Sequence, residues 1–437
     1  MSELNETHHP QLKSWVESAN QASTHFPVQN LPLGVFRRRE SDEAPRVGCA
    51  IGDQIFDISA AAQLGLFEDA AAAVQACRFS SLNALMSLGQ PHWTALRREL
   101  SRLLREGSPA SAESGRLLAG QAESQMGLPA NVGDYTDFYA SIHHATNVGS
   151  MFRPDNPLLP NYKHIPIGYH GRASSLMADG SAFKRPLGQT KADEADEPVY
   201  GPCKLLDYEL EVGFFVGPGN PSGQPIPIDK AGEHIFGLCL VNDWSARDIQ
   251  KWEYQPLGPF LAKSFATTVS PWVVTAEALQ PYRVEAFQRS PDDPQPLPYL
   301  DSPVERRQGG IGLTVEAHLL TEKMREDRQP PHRLSRASFA HMYWTIGQML
   351  AHHSSNGCNL RPGDLMASGT VSGPQEEARG CLLELTWRGS NPIKLPKGQE
   401  RRFLQDGDEV ILTGYCEAEG RPRVGLGQCR GRVLPAD

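Results

Sequence analysis

Residues 204–213 alternate apolar and polar side chains with the two-residue period of a β-strand. Asp207, Glu209 and Glu211 share one face of this predicted strand, and the apolar run at 213–217 indicates that the strand continues into a core. Carboxylates that point towards a core need a partner, and a hard divalent cation suits their oxygen atoms. The alternative is a solvated face, because edge strands often carry charge.

The N-terminal part of the chain combines short β-like runs with helical spacing. Residues 33–58 contain runs of β-forming side chains separated by Gly-Asp turns. Residues 60–106 are rich in Ala, Leu, Gln, Glu and Arg, and the apolar residues at 93–104 have the spacing of a helix. Residues 107–129 are rich in Ser, Gly and Ala, a composition typical of a connector. The pattern predicts a small β-plus-helix domain over 1–129 and a second domain over 130–437.

Beyond residue 130, frequent Gly and Pro residues separate short β-branched or aromatic runs. The predicted strands include 209–216, 235–243, 311–320, 381–388 and 408–415. One helix is predicted over 335–353, whereas 287–311 and 322–334 are polar and irregular. These elements predict a mainly β protein with some α-helix, whose second domain is a β-sandwich or roll.

Composition narrows the function classes. A chain of 437 residues with net charge −9 and pI about 5.9 is a poor candidate for binding nucleic acid or an anionic membrane surface. Its N-terminus has no secretory pattern, and no apolar run is long enough to span a bilayer. The 8 cysteines form no Cys-x-x-Cys pair, so we expect reduced thiols and a cytoplasmic location.

Two further acidic residues lie in segments that resemble the walls of a site. Asp137 falls in a short aromatic run, where a helix cap is an equally good interpretation. Asp243 ends a long apolar run and precedes a predicted helix at 245–252, so it could cap that helix, bind a metal, or do both. Helical spacing puts Asp243, Arg247 and Gln250 on one side.

Other polar residues are candidates for a compensating positive charge and for a general base. Four carboxylates around one dication require another positive charge, for which Lys263 is the best internal candidate, although a lysine more often extends to water. His143 and His144 could provide a general base, and no further ligands for zinc lie nearby. Glu384 interrupts an apolar run, which indicates either a structural Glu–Arg pair or a Glu–His pair that orients a base.

Longer motifs occur along nearly the whole chain, at 26–32, 134–139, 144–149, 151–153, 168–174, 204–211, 242–265, 356–364, 367–370 and 425–429. Together these motifs resemble the fumarylacetoacetate hydrolase family. The sequence departs from the family mainly at 287–311 and 321–336, and at Ala262 and Ala266, where glycines are expected.

This resemblance implies an N-terminal SH3-like small barrel, a C-terminal β-sandwich roll and a homodimer. It implies a hydrolase acting on carbon–carbon bonds in ketonic substances, which cleaves the β-diketo acid 4-fumarylacetoacetate to fumarate and acetoacetate in the last step of tyrosine and phenylalanine catabolism. The implied cofactors are Ca²⁺ and Mg²⁺, and oxygen ligands would also accept Mn²⁺.

The resemblance also implies roles for individual residues. The calcium ligands would be Asp137, Glu209, Glu211 and Asp243. A magnesium site would involve Asp243, Lys263 and Thr267. His144 would be the proton acceptor, held by Glu384. Developing negative charge would be stabilised by Arg247, Gln250 and Lys263. Substrate contacts would come from Tyr139, Arg153, Tyr169, Gln250, Tyr254 and Thr370.

Three alternatives remain at this level. A related metal-dependent lyase or hydrolase would share the fold but lack the long N-terminal domain and the pair formed by His144 and Glu384. A calcium-binding module without activity would use the acidic cluster only for structure. An aldolase-like enzyme would use Lys263 as a Schiff-base nucleophile, and borohydride trapping would reveal it.

Overall fold

The computed structural model describes residues 4–437, and its N-terminal part is built on an open five-stranded antiparallel sheet. In spatial order the strands are Leu118–Gly120, Gln54–Asp57, Arg46–Ile51, Leu33–Arg38 and Ser124–Met126. The predicted combination of short strands and helices in this part of the chain is confirmed, whereas the interpretation of 107–129 as a connector was wrong. That segment supplies two of the five strands, because its short runs pair with the edges of the sheet.

Short helices cover the N-terminal sheet. They span Ile58–Gln63, Ala71–Ala76, Asn83–Met86, Gln90–Leu104 and Ser114–Leu117. The longest buries Trp93, Leu96, Leu100 and Leu103, which recur every three or four residues and therefore form one face. The helical spacing predicted at 93–104 is confirmed by the helix Gln90–Leu104.

The C-terminal part contains two larger sheets. The first has eight strands in the order Gly168–His170, Tyr135–Phe138, Leu365–Ala367, Leu210–Val216, Ile235–Asp243, Thr267–Val269 and Leu176–Ala178, with Val274–Thr275 paired to Ile235–Asp243. The second has five strands in the order His332–Ser338, Leu313–Leu320, Glu409–Cys416, Val424–Leu434 and Ser181–Lys184. Two-stranded pairs complete the strands: Leu187–Thr190 with Val199–Pro202, Leu206–Asp207 with Ser245–Ala246, Arg283–Val284 with Gly310–Ile311, and Ile393–Lys394 with Glu400–Arg401.

The eight-stranded sheet is buried on both faces. Leu238 and Leu240 on one face pack in a common core with Val315 and Leu412 of the five-stranded sheet. The opposite face packs against the N-terminal part, and the ring of Phe236 lies 5.1 Å from that of Trp93. Burial on both sides explains why these central strands are almost continuously apolar rather than alternating. The predicted mainly β fold with some helix is confirmed.

The C-terminal part also contains six α-helices. They span Ile142–Phe152, Arg247–Glu253, Pro303–Gln308, Glu322–Glu326, Ile346–Ser354 and Leu382–Leu385. Among residues 4–437 no helix combines the length and apolar character that crossing a bilayer requires.

Two predicted elements differ from the structure. The helix predicted over 335–353 begins only at Ile346, because the preceding His332–Ser338 pairs with Leu313–Leu320 as an edge strand. The strand predicted over 381–388 is instead the one-turn helix Leu382–Leu385. The carboxylate of Asp207 accepts hydrogen bonds from the first two amides of that turn, and this long-range contact outweighs the local β pattern. The other predicted strands lie within two residues of the observed bounds.

Gly213 permits the close packing of the central strands. A Cβ atom on Gly213 would lie 2.6 Å from Val241 Cγ2 and 2.8 Å from Cys239 Sγ, whereas a Cβ on Gly201 would meet no atom within 4 Å. We expect Gly213→Ala to lower the free energy of unfolding by about 1–3 kcal/mol and Gly201→Ala to leave it nearly unchanged. Urea denaturation of both variants checks this, and equal stabilities would contradict the packing.

Candidate metal centre and acid–base pair

Carboxylates from neighbouring strands meet at one end of the eight-stranded sheet. Asp137 lies on Tyr135–Phe138, Glu211 on Leu210–Val216, and Asp243 ends Ile235–Asp243, while Glu209 immediately precedes its strand. Asp137, Glu209, Glu211 and Asp243 each offer an oxygen, and these oxygens all lie within 4.8 Å of one another. All four residues are buried. The cluster therefore collects four buried acidic side chains from three segments of the chain.

The donor set fits a hard divalent cation. Asp137 Oδ1 and both carboxylate oxygens of Glu211 are buried without a hydrogen-bond partner in the described chain. Burial, followed by repulsion from neighbouring carboxylates, raises the pKa of Asp137 and of Glu211 well above the usual range. Such oxygens must either hold protons or share a cation, and oxygen-only sets suit Ca²⁺, Mg²⁺ or Mn²⁺.

Two basic side chains neutralise part of the cluster. Lys263 Nζ donates to Glu209 Oε2 and to Asp243 Oδ2, both at 2.6 Å, and Arg247 Nη1 lies 2.7 Å from Glu209 Oε1. Burial opposes the charges on Glu209 and Lys263, but their mutual attraction prevails: the pKa of Glu209 is lowered and that of Lys263 is raised. Four carboxylates and two cationic side chains leave two negative charges, which one dication would balance.

Lys263 and Thr267 converge on the same carboxylate. Thr267 Oγ1 donates to Asp243 Oδ1 at 3.0 Å, so the three residues predicted for a magnesium site are in contact. The raised pKa of Lys263 keeps its amine protonated. A protonated amine is no nucleophile, and this weighs against the Schiff-base alternative.

Asp207 does not belong to the acidic cluster, although its position in the alternating pattern places it there. The chain leaves strand geometry at residues 208–209, so Asp207 pairs with Ser245 on a separate short ladder. Its Oδ2 accepts a hydrogen bond from Arg247 Nε at 2.9 Å. The prediction of one continuous strand over 204–213 was therefore wrong.

His144 and Glu384 form a buried acid–base pair. His144 lies in the first turn of Ile142–Phe152, and its Nδ1 is 2.6 Å from Glu384 Oε2. Burial would raise the pKa of Glu384, but the charge of His144 and hydrogen bonds from His144, Asn147 and Ser372 lower it to about 2. An ionised Glu384 accepts a hydrogen bond from Nδ1–H of His144. The other ring nitrogen, Nε2, is then the free basic nitrogen. His143, by contrast, is half-buried, and its ring lies edge-on to that of His341, with centroids 6.1 Å apart.

The predicted substrate contacts differ in how close they lie to these groups. The ring of Tyr139 packs edge-on at 5.3 Å from that of His144, and the Tyr169 hydroxyl donates to Asp243 Oδ2 at 2.9 Å. Gln250 Oε1 accepts from Arg247 Nη1 at 3.2 Å. Three candidates remain. Thr370 has a buried hydroxyl without a partner in the described chain, and Arg153 donates a hydrogen bond to the Pro157 carbonyl. Tyr254 follows the helix Arg247–Glu253 and is 39% exposed.

Sequence reasoning from patterns missed the residues that fix Glu384. Asn147 Nδ2 donates to Glu384 Oε1 at 2.8 Å, Ser372 Oγ donates to Oε2 at 2.9 Å, and the Cys381 thiol lies 3.2 Å from Oε2. Asn147 could have been found, because it follows His144 by three residues and therefore shares its helix face. Nothing local in the sequence indicates the role of Ser372.

Comparisons with known proteins identify the family. A profile described as fumarylacetoacetate (FAA) hydrolase C-terminal matches residues 134–434, and one described as fumarylacetoacetase N-terminal matches residues 29–129. Fumarylacetoacetase of Bos taurus is 52% identical over 94% of this chain and 96% of that protein, and the human protein is equally similar. Fumarylacetoacetase of Caenorhabditis elegans is 51% identical over 98% of this chain and 100% of that protein.

A solved structure shares the architecture at low sequence identity. The fumarylacetoacetate hydrolase from psychrophilic Exiguobacterium antarcticum covers 93% of this chain and 99% of its own, with a TM-score of 0.50 and 16% identity. That likeness concerns the fold alone. The two profiles and the closely related sequences define the class: the chain belongs to the fumarylacetoacetate hydrolase family.

The raised pKa values of Asp137 and Glu211 predict how calcium affects stability. Carboxyl groups with raised pKa values in the folded protein hold protons at low pH, and the metal-free fold loses stability as the pH rises through those values. A calcium ion bound to these oxygens would replace the protons, so we expect calcium to raise Tm more at about pH 8 than at about pH 5.5. Thermal unfolding with and without calcium checks this.

The variant Glu211→Gln tests whether this cluster causes the calcium response. Removal of one crowded carboxylate should raise the Tm of the metal-free protein and abolish its calcium response, since the repulsion and the ligand disappear together. Glu419→Gln, at an exposed glutamate in a turn, is the matched control and should behave as the unmodified protein. A full calcium response in Glu211→Gln would contradict the assignment of this cluster as the metal centre.

Proposed function

We propose that this chain hydrolyses the carbon–carbon bond of 4-fumarylacetoacetate to give fumarate and acetoacetate. The observation that carries the proposal is the buried pair of His144 and Glu384 beside an oxygen cluster, in a chain about half identical to proteins named fumarylacetoacetase. The two groups are electrostatic neighbours, because the charge of His144 is among those that lower the pKa of Glu209. A calcium-binding module would have no need of this oriented base.

The proposed cofactor is a divalent cation held by Asp137, Glu209, Glu211 and Asp243, with Ca²⁺ as the main occupant and Mn²⁺ as a substitute. A second position for Mg²⁺ would involve Asp243, Lys263 and Thr267. When bound, the cation supplies Lewis acidity at the oxygens of a 1,3-dioxo substrate. The unpartnered oxygens of Asp137 and Glu211 support this choice of ligands.

His144 is the proposed general base. Its Nε2 takes a proton from water while Glu384 holds Nδ1–H and stabilises the imidazolium that forms. The hydroxide adds to the carbonyl carbon of the fumaroyl group, the bond from that carbon to the adjacent methylene breaks, and the departing acetoacetate carbanion takes up the proton that the imidazolium returns. Glu384 is suited to this part because its pKa of about 2 keeps it ionised at neutral pH.

The remaining polar side chains offset charge and hold the substrate. Lys263, Arg247 and Gln250 face the oxygen cluster or one another and would stabilise the developing negative charge. The proposed substrate contacts are Tyr139, Arg153, Tyr169, Gln250, Tyr254 and Thr370. Among them, Arg153 would bind a terminal carboxylate together with tyrosine hydroxyls.

We also propose the domain boundaries 1–129 and 130–437, a homodimer and a cytoplasmic location. The two profile matches end and begin close to that boundary.

Apolar side chains at Leu257, Phe260 and Leu261 are 96%, 69% and 50% exposed, which supports a surface for self-association. All 8 cysteines are free thiols, in keeping with a reducing compartment.

The direct test follows the absorbance of fumarylacetoacetate after the purified protein is added. We expect the absorbance to fall, the fall to stop when a chelator removes divalent cations, and activity to return with added calcium. Activity that survives exhaustive chelation would contradict the metal-dependent reaction, and no consumption of substrate in the presence of calcium would contradict the proposed function.

Variants of the acid–base pair test the role of His144. We expect His144→Ala and Glu384→Gln to fold and to lose a factor of about 100 or more in kcat, because each removes base catalysis or its orientation. His143→Ala changes the adjacent histidine, which forms no hydrogen bond or ion pair with Glu384 in the described chain, and should keep nearly full activity. Near-normal turnover in His144→Ala would remove His144 as the base.

A further inference from the structure

Asp207 is a buried carboxylate outside the metal cluster and outside the acid–base pair. It has no exposed surface, and four donors surround its two oxygens. Oδ1 accepts from the amides of Tyr208 at 2.9 Å and Leu382 at 2.8 Å. Oδ2 accepts from the Leu383 amide and from Arg247 Nε, both at 2.9 Å. These contacts satisfy the carboxylate without a metal and without substrate.

The four donors connect the two halves of the site. The amides of Leu382 and Leu383 open the one-turn helix Leu382–Leu385, which carries Glu384. Arg247 uses Nε for Asp207 and Nη1 for Glu209 of the metal cluster, at 2.9 and 2.7 Å. One carboxylate therefore contacts both the backbone that positions Glu384 and the guanidinium that positions Glu209.

We propose that Asp207 is a positioning residue that fixes the acid–base pair relative to the metal cluster. A single helical turn is unstable by itself, and its first amides have no partner within the helix. The carboxylate of Asp207 supplies that partner and also balances the charge of Arg247. The inference rests on the proposed function, because it assigns Asp207 a part in the reaction of that site.

An amide at this position would break the arrangement while keeping its shape. In Asp207→Asn, either orientation of the side chain turns an NH₂ group towards two donors: Leu383 and Arg247 on one side, or Tyr208 and Leu382 on the other. The helix that carries Glu384 would lose an anchor or Arg247 would lose its partner. Because the charge of Arg247 would then be balanced by Glu209 alone, Glu209 would hold a cation less well.

Asp57 offers a matched control in the N-terminal sheet. It is also buried, accepts the Ala60 amide at the start of Ile58–Gln63 at 3.0 Å, and accepts from Arg46 Nε at 2.7 Å. The same chemistry therefore occurs at a helix that carries no site residue. Asp57→Asn should lower Tm without changing kcat.

The experiment compares kcat, KM, Tm and calcium affinity for Asp207→Asn and Asp57→Asn. We expect Asp207→Asn to lose roughly 10- to 100-fold in kcat with little change in KM, and to bind calcium roughly tenfold more weakly by calorimetry. The double variant Asp207→Asn with Glu384→Gln should be little worse than Glu384→Gln alone, because both changes disturb the same pair. Unchanged kcat and calcium affinity, or full multiplication of the two losses, would overturn the proposal.

Asp207→Glu keeps the inference testable if Asp207→Asn does not fold. The longer side chain retains the charge that Arg247 requires but displaces the carboxylate oxygens. We therefore expect kcat to fall while Tm is largely kept. If Asp207→Glu also fails to fold, Asp207 is required for folding and the proposal is overturned. Unmodified protein measured in parallel distinguishes a failure of the proposed function from a failure of the proposed role of Asp207. If it leaves fumarylacetoacetate intact, the proposed function fails, whereas the calorimetric comparison still decides whether Asp207 supports the metal cluster.

Discussion

The site is organised by a single electrostatic constraint: four carboxylates are buried close together at one end of a sheet. Like charges at such short distances cannot all remain ionised in a dry interior unless cations compensate them. Lys263 and Arg247 supply part of that compensation, and the unpartnered oxygens of Asp137 and Glu211 indicate where more is required. The proposed dication follows from this balance of charge rather than from any one residue.

The fold gives this constraint its rigidity. Strands Leu210–Val216 and Ile235–Asp243 are buried along their whole length between the N-terminal part and the five-stranded sheet. Carboxylates at the ends of such strands have little freedom to move apart, because any shift would disturb two packed interfaces. The N-terminal part thus supports the back of the sheet that presents the acidic cluster, and this gives the long N-terminal segment a physical purpose.

The sequence predicts some elements well because their signals are local. The apolar run that ends at Asp243 predicts a buried strand with a carboxylate at its end, and the structure has that strand. Elements that depend on distant partners were not predictable in this way. Glu384 lies on a helical turn because the carboxylate of Asp207, far away in the chain, accepts hydrogen bonds from the first amides of that turn. Residues 332–338 form a strand because a neighbouring strand pairs with them. Asn147 and Ser372 gain their roles only when Glu384 lies between them.

The central claim is that Asp137, Glu209, Glu211 and Asp243 hold one divalent ion. The most direct measurement is an anomalous difference map from crystals grown with manganese, since the ion itself then identifies its ligands. The account predicts one strong peak within coordination distance of oxygens from all four carboxylates. A peak elsewhere, or an empty cluster whose carboxyl groups share protons with one another, would contradict it.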